Sequence, residues 1–261
     1  MYATERQELI EQLLSDEGRV GVHDLSRRFE VTTETVRRDL DALERSGALR
    51  RVHGGAVAAE RRSTAEPTVV ERSHRRAQAK AAIAARALEV LDDGFHGSLF
   101  LDAGTTTAAV AELLPLRLRE IGGTADVVTH SLTLAPVLAG ADELSLTVVG
   151  GRVRGVTAAA VGASTVRTID SLRPDIVFVG TNGLSASFGL STPDPEEAAV
   201  KEAIVKAARR VVVVADSGKF GAESLVRFAS VDDIDVLVTD AAPSGELAAA
   251  LRTAGVEVWV A

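Results

Sequence analysis

The stretch TTETVRRDLDALERSGALRRVHGGAV, residues 32–57, decides how the first part of this chain folds. It opens with Thr32 and Thr33, either of which can cap a helix through its side-chain hydroxyl. The apolar residues that then recur at helical spacing are Val36, Leu40 and Leu43. Ser46-Gly47 ends the pattern, since glycine suits the left-handed position after a helix. The stretch therefore predicts a short amphipathic helix.

The residues on either side complete a small domain. Downstream, the extended runs 49–52 and 56–57 flank His53-Gly54-Gly55, a turn pattern that predicts a β-hairpin. Upstream, apolar residues at helical spacing predict helices over 4–15, with Gly18 as its stop, and over 22–29. Three short helices with a tight turn before the third are typical of a helix-turn-helix, so residues 1–57 are predicted to form a winged helix-turn-helix.

The third helix has polar side chains that lie away from its apolar stripe. Arginine suits guanine edges or phosphates, and threonine suits phosphates, sugars or a thymine methyl group. The candidate DNA-binding residues of this helix are Thr32, Thr33, Glu34, Thr35, Arg37 and Arg38. The alternative for these residues is an ordinary solvated helix face.

The sequence resembles the DeoR family of sugar-metabolism repressors. The segments that match that family's N-terminal signature best are RRDL, residues 37–40, and RVHGG, residues 51–55. The resemblance implies that the third helix enters the major groove and that the wing contacts the flanking backbone. The candidate wing residues are Arg50, Arg51 and His53. Asp39 is expected to pair with a neighbouring arginine, because a carboxylate facing phosphate would repel it.

The net charge of -8 at first argues against binding to nucleic acid. A local basic stretch answers that objection: Arg37, Arg38, Arg45, Arg50, Arg51, Arg61 and Arg62. The chain has no cysteine, its N-terminus is charged, and its apolar runs are too short to span a bilayer. A soluble cytoplasmic protein of two domains is predicted.

The rest of the chain alternates between strands and helices. Residues 58–70 are charged, lack a period and contain Pro67, so they are interpreted as a linker, followed by a helix over 71–91. Short runs rich in valine, leucine and isoleucine are predicted as strands at 98–101, 127–129, 144–149, 176–179, 211–215, 236–239 and 256–260. Helices are expected between several of them. This alternation predicts an α/β domain over 71–261, with a parallel sheet covered on both faces.

Polar loops follow several of these strands, where open parallel sheets bind ligands. The loop DAGTTT, residues 102–107, joins a strand to a helix, whose free N–H groups and hydroxyls favour a phosphate. The alternative is a threonine that merely caps the helix. The candidate effector-binding residues are Asp102, Gly104, Thr105, Thr106, Thr107, His130, Ser131, Gly150, Gly151, Asn182 and Lys219.

DeoR-type sensor domains are similar to sugar-phosphate isomerases, and the segment 201–221 looks like both. The resemblance therefore implies a phosphorylated sugar or related metabolite as effector. His130 departs from the family pattern, which has asparagine between the threonine and the serine. This departure bears on which sugar is bound.

An active isomerase with an appended DNA-binding domain is the competing hypothesis. It needs a positioned carboxylate base, yet the loop where the isomerases carry acids has Thr181, Asn182 and Leu184 here. Glu202 remains as a candidate base, while the stretch GLSTPDP, residues 189–195, lacks the expected lysine. The five histidines are scattered singly. No catalytic residue, metal or cofactor is predicted, and a purely structural protein is disfavoured by the convergent polar loops.

The mechanism expected from these features is release of operator DNA by a ligand. Paired winged helices gain the binding energy of two half-sites, which predicts a symmetric homo-oligomer on double-stranded DNA. The effector must then bind the DNA-incompetent arrangement more tightly.

Overall fold

The computed structural model describes residues 2–17, 19–58, 64, 66 and 68–261 of the 261-residue chain. The chain divides into two compact units, Met1–Pro67 and Thr68–Ala261, called here the N-terminal unit and the C-terminal unit. None of the helices in the described part combines the length and the apolar character that crossing a membrane requires.

In its described residues, the N-terminal unit contains three helices and a small antiparallel sheet. Its elements are α1 (Ala3–Glu17), β1 (Arg19–Gly21), α2 (Val22–Phe29), α3 (Thr33–Arg45), β2 (Leu49–Val52) and β3 (Gly55–Ala58). Thr32 is the cap of α3, because its hydroxyl accepts the Thr35 N–H at 3.2 Å. The predicted stripe is buried, and Val36 and Leu40 are fully enclosed between the helices. The winged helix-turn-helix prediction is confirmed.

The wing sheet contains one strand more than the sequence predicts. Its strand order is β1-β3-β2, so the β2–β3 hairpin is joined by the three-residue strand β1. A strand this short shows no alternation for a sequence pattern to detect. The backbones of β1 and β3 are so close that a Cβ at Gly55 would lie 2.0 Å from the Val20 carbonyl oxygen. The predicted helix stop, Gly18, lies outside the described residues.

The C-terminal unit alternates strands and helices. Its helices are α4 (Val69–His74), α5 (Ala77–Ala87), α6 (Thr105–Glu120), α7 (Ala135–Leu138), α8 (Ala163–Asp170), α9 (Pro195–Ala207) and α10 (Gly245–Thr253). Its strands are β4 (His96–Leu101), β5 (Thr124–Thr129), β6 (Leu144–Val148), β7 (Arg152–Arg154), β8 (Ala159–Val161), β9 (Ile176–Val179), β10 (Gly183–Ser185), β11 (Gly189–Thr192), β12 (Arg210–Val214), β13 (Val226–Ala229), β14 (Val236–Thr239) and β15 (Glu257–Val260).

Seven of these strands form one parallel sheet in the order β15-β14-β12-β9-β4-β5-β6. All seven runs predicted as strands are found in it. The chain builds outward from β4 in one direction, through β5 and β6, and then returns to the other side of β4 with β9. The strand order therefore reverses between β4 and β9, a position at which open sheets bind ligands.

The sheet is apolar on both faces, as predicted. Val211 and Val213 of β12 pack into one buried cluster, whereas Val212 and Val214 pack into the other. Successive side chains of a strand point to opposite faces, so a continuous apolar run is what a strand covered on both sides requires.

Five short strands outside the main sheet were not predicted. β7 and β8 form a hairpin, and β10, β11 and β13 form a separate antiparallel sheet. Each has only three or four residues, which is too short for a period to be recognised.

The predicted linker and the helix after it need correction. Most of the linker, 58–70, lies outside the described residues, but its last two residues belong to α4. The helix begins there because Thr68 and Glu71 form a reciprocal capping box. The single helix predicted over 71–91 is broken between α4 and α5, where Arg76 adopts the left-handed conformation with φ of 52°.

Candidate functional site

The predicted DNA-binding residues of α3 lie on one surface of the N-terminal unit. Glu34, Arg37 and Arg38 are exposed, and Thr33 and Thr35 are half-buried beside them. Glu34 lies 3.9 Å from Arg37 and 3.5 Å from Arg38. These ion pairs are solvent-exposed and weak, so both arginines can exchange Glu34 for a phosphate or a base.

Asp39 faces the interior of the same unit. Its Oδ2 accepts from Arg6 Nε at 2.8 Å and its Oδ1 accepts from an Arg6 terminal nitrogen at 3.2 Å. Both side chains are buried, and this two-pronged ion pair joins α1 to α3. The expectation that Asp39 pairs with an arginine is confirmed, and the pair fixes how α3 presents its outer face.

The wing residues differ in their surroundings. Arg50 and His53 are exposed, whereas the Arg51 side chain forms an ion pair with Asp41 of α3. The Arg51 N–H also donates to Glu44 at 2.8 Å, so Arg51 joins the wing to α3. An open cleft of about 650 Å³ separates α3 from the wing, and Arg37, Arg51 and His53 are among its lining residues. The sequence did not single out His23, which also lines this cleft.

In the C-terminal unit, Asp102 lies at the point where the strand order reverses. It follows β4, is fully buried, and accepts the Gly180 N–H from the end of β9 at 3.0 Å. Its Oδ2 also forms an ion pair with Lys201 of α9, whose Nζ donates to the Gly180 carbonyl at 3.0 Å. The carboxylate therefore ties together two strand ends and a helix.

The buried ion pair determines the charge of Asp102. Burial would raise the pKa of this carboxyl, but the Lys201 ammonium and the His130 ring outweigh that effect and hold the pKa below its usual value. Asp102 is thus an ionised scaffold residue at neutral pH. Because it has no exposed surface, it orders the loops around it rather than presenting an open oxygen to solvent.

His130 is buried as well, at the end of β5. Its Nδ1 lies 2.8 Å from the Ala160 carbonyl, which can only accept, so Nδ1 carries a hydrogen. Nε2 lies 3.1 Å from both the Ala103 N–H and Asp102 Oδ1. The first contact needs a lone pair on Nε2 and the second needs a hydrogen there, so one ring makes only one of these two bonds at a time.

Helix α6 begins in the same loop with an uncapped end. Its N-cap residue, Gly104, has no side chain, and Thr107 uses its hydroxyl to donate to the Gly104 carbonyl at 2.9 Å. Among the described residues, no side chain caps the first N–H groups of α6, and these groups carry the positive end of the helix dipole. Thr105 and Thr106 stand beside them, half-buried and buried respectively. An anion fits this arrangement.

The remaining candidates lie on neighbouring loops at the same edge of the sheet. Ser131 is buried and pairs with the Thr133 hydroxyl, whereas Asn182 and Lys219 are half-buried. Gly150 and Gly151 are exposed, but a Cβ at Gly151 would lie 2.0 Å from Thr165 Oγ1. Gly151 is thus required for close packing against α8.

Lys201 is the residue that sequence reasoning missed. It occupies the buried face of α9, three residues after Ala198 and three before Ile204, both of which are buried. A cation within an apolar helical stripe indicates a buried partner. That spacing was a usable indication, although it does not identify Asp102, which lies 99 residues away.

Glu202, the candidate catalytic base, faces the opposite way. Its side chain is exposed and pairs with Lys206 one turn further along α9. It therefore belongs to the solvated face of that helix, while Lys201 faces the buried carboxylate. The carboxylate that an isomerase would need is not supplied to the strand ends by Glu202.

Comparison with known proteins places both units in one family. Residues 6–62 match the model of the DeoR-like helix-turn-helix domain, and residues 75–241 match that of the DeoR C-terminal sensor domain.

The curated relatives cover nearly the whole chain. An HTH-type transcriptional regulator GlpR from Haloferax volcanii is 39% identical over 99% of this chain and 98% of its own length. The glycerol-3-phosphate regulon repressor of Escherichia coli K12 is 31% identical, covering 93% of each chain. Among solved structures, ribose 5-phosphate isomerase A from Methanocaldococcus jannaschii is a distant match, which aligns with 54% of this chain and 53% of its own at 20% identity and a TM-score of 0.40. The chain therefore belongs to the DeoR family and is a transcriptional regulator, not an enzyme.

Proposed function

We propose that this regulator represses a carbohydrate-metabolism operon in the cytoplasm and leaves its operator when a phosphorylated sugar or related metabolite binds. In this proposal residues 1–57 bind DNA and residues 71–261 sense the effector. The chain acts as a homo-oligomer on paired half-sites, since one small winged helix makes few base contacts. The names of two relatives support a repressor of such operons: a glycerol-3-phosphate regulon repressor and a putative aga operon transcriptional repressor.

The observation that carries the effector proposal is the uncapped start of α6 at the reversal of strand order. Its N–H groups, Thr105 and Thr106 lie at the same edge of the sheet as the loops of Lys219 and Asn182, which are half-buried. Helix N–H groups and an ammonium together favour a phosphate, and the surrounding polar side chains suit hydroxyl groups. The buried Asp102–Lys201 pair holds two of these loops in place.

Replacing Arg37 or Arg38 with alanine is expected to weaken operator binding by about 1–3 kcal/mol if that arginine reads a guanine with two hydrogen bonds. Both guanidinium groups are exposed on α3 and form weak pairs with Glu34. The affinity is measured by titrating a duplex that the wild-type protein has selected from a randomised pool. Arg173→Ala, an exposed arginine of the C-terminal unit, is the charge-matched control. Unchanged affinity in both α3 variants would place base reading elsewhere.

Replacing Lys219 with alanine is expected to leave operator binding intact and to abolish release by the effector. Thermal stability is measured with sn-glycerol 3-phosphate, D-fructose 1-phosphate and D-ribose 5-phosphate, each beside its unphosphorylated form. A ligand at a hundred times its Kd stabilises the wild-type fold by about 2.7 kcal/mol, which a melting curve resolves. The phosphate that stabilises the protein should also release the selected duplex.

Two results would contradict this proposal. One is a wild-type protein whose melting temperature and duplex affinity do not change with any of the phosphorylated compounds. The other is a Lys219→Ala variant that responds as the wild type does.

A further inference from the structure

The segment Thr68–Arg76, called here the strap, is the first part of the C-terminal unit and follows the N-terminal unit along the chain. It contains α4, which packs against α6. The first residue of α4 makes a second contact, since the Val69 N–H donates to the Val156 carbonyl at 3.1 Å. The strap therefore touches both the helix that begins at the candidate effector loop and the connection between β7 and β8.

Arg76 closes the strap with an ionic clasp. Its guanidinium lies 3.2 Å from Asp216 and 3.3 Å from Asp240, the carboxylates that follow β12 and β14. Its backbone is left-handed, a conformation that costs an arginine free energy and persists only where contacts hold it. These two ion pairs are among the contacts that hold it, together with the Lys80 N–H, which donates to the Arg76 carbonyl at 3.0 Å.

The clasp lies over the turn that carries Lys219. A Cβ added at Gly218 would come within 2.9 Å of an Arg76 terminal nitrogen, so the guanidinium rests on the turn Ser217–Lys219. Arg76 is about one quarter exposed, with a side-chain value of 27%. An anion bound at Lys219 would therefore meet Arg76 directly.

The surroundings of the clasp are rich in cations. The buried ammonium of Lys80 donates hydrogen bonds to the backbone carbonyls of Arg72 and Arg75, near the end of the strap. Burial lowers the pKa of Lys80 to about 8, Asp216 opposes that change, and the charges of Lys219, Arg72 and Arg75 reinforce it. Positive charges that repel one another in this way favour an added anion.

We propose that the strap relays effector binding to the N-terminal unit. A phosphate bound at the Lys219 turn replaces Asp216 and Asp240 as the ion-pair partner of Arg76, and the strap is released from these carboxylates. Arginine forms two parallel hydrogen bonds to phosphate as readily as to a carboxylate, so the exchange keeps its charge paired. Once the clasp is open, two of the contacts that offset the left-handed backbone of Arg76 are lost, and α4 relaxes. This inference rests on the proposed function, because it assumes an anionic effector at that turn.

The test uses the full chain and the variant Arg76→Asn. Asparagine tolerates the left-handed conformation, so the variant removes the clasp without adding backbone strain. Asp240→Asn opens half of the clasp from the other side and serves as the second variant. Lys206→Gln, which breaks an exposed pair on α9, is the matched control. Hydrogen exchange of the amides of residues 69–74 and affinity for the selected duplex are measured with and without inorganic phosphate or sn-glycerol 3-phosphate.

In the wild type, we expect the probe to accelerate exchange across residues 69–74. Arg76→Asn should show that faster exchange without any probe and bind the duplex about tenfold more weakly, within the usual range of allosteric coupling. Asp240→Asn should shift both readings in the same direction by less. If both variants match Lys206→Gln in exchange and affinity, the strap proposal is wrong.

The strap and the effector proposals fail in different ways. A probe that releases wild type and Arg76→Asn equally from DNA overturns the strap and upholds the effector. Variants that loosen α4 and weaken duplex binding, in a protein that no probe stabilises, uphold the strap as a control point of DNA affinity and contradict the anionic effector.

Discussion

Replacing Lys201 with methionine is expected to lower the free energy of unfolding of the C-terminal unit by about 3–5 kcal/mol. The variant leaves Asp102 fully buried without its opposing ammonium, while methionine preserves most of the volume of the lysine stem. The Gly180 carbonyl also loses its donor from Lys201. An unpaired charge in the interior costs far more than the loss of an exposed ion pair.

Urea denaturation followed by circular dichroism measures this effect. Lys206→Met is the matched control, since it lies on the same helix and loses an exposed pair with Glu202. It is expected to cost less than about 1 kcal/mol. Adding Asp102→Asn to Lys201→Met should recover part of the loss, because the buried charge is then gone. Equal stability of the Lys201 and Lys206 variants would show that Asp102 does not depend on this partner.

The main sheet could be predicted because the residues of each strand indicate by themselves whether the strand is covered on one face or on both. In β12, four consecutive valines are apolar on both faces, and the structure divides them between two buried clusters. No other arrangement buries such a run as fully as a central parallel strand. The hairpin β7–β8 has no such pattern. Arg152 is exposed and Ala159 is buried, and this difference in exposure depends on the segments that pack around the hairpin rather than on its own residues.

The break at Arg76 could not be predicted for a different reason. Residues 69–87 contain neither glycine nor proline, so no local residue marks the end of a helix at this position. The side chain of Arg76 pairs there with two carboxylates that lie about 140 and 164 residues further on, Asp216 and Asp240. Tertiary contacts of that range override a local preference of a few tenths of a kcal/mol per residue.

In the candidate site, too, part of the arrangement could be predicted from local sequence and part depends on distant contacts. Asp102 was found because it ends a buried strand, and its surroundings were expected to bind a ligand through open polar groups. Its burial assigns it another task, which is to fix the end of β9 and α9 in place. Position along a strand predicts which edge of the sheet a residue joins, but exposure depends on the loops that cover that edge.

Replacing Arg6 with methionine is expected to abolish operator binding while leaving the C-terminal unit folded. Arg6 and Asp39 form the buried pair between α1 and α3, so the variant strands a carboxylate in the core of a small domain. The expected cost of about 3–5 kcal/mol approaches the whole stability of a domain of this size. Duplex titration measures the loss of operator binding. A melting curve with separate transitions for the two units shows whether the C-terminal unit stays folded.

Arg27→Met is the control, because it breaks an exposed pair with Asp24 on α2 and should cost less than about 1 kcal/mol. Full operator affinity in Arg6→Met would refute a structural role for the pair. The double variant Arg6→Met/Asp39→Leu separates the two sources of the cost. If the stranded charge of Asp39 causes the loss, the apolar pair should regain stability, since replacing both ions with well-packed side chains is often neutral. If the packing of the Arg6 stem causes it, the double variant should stay unfolded, because methionine is present in both.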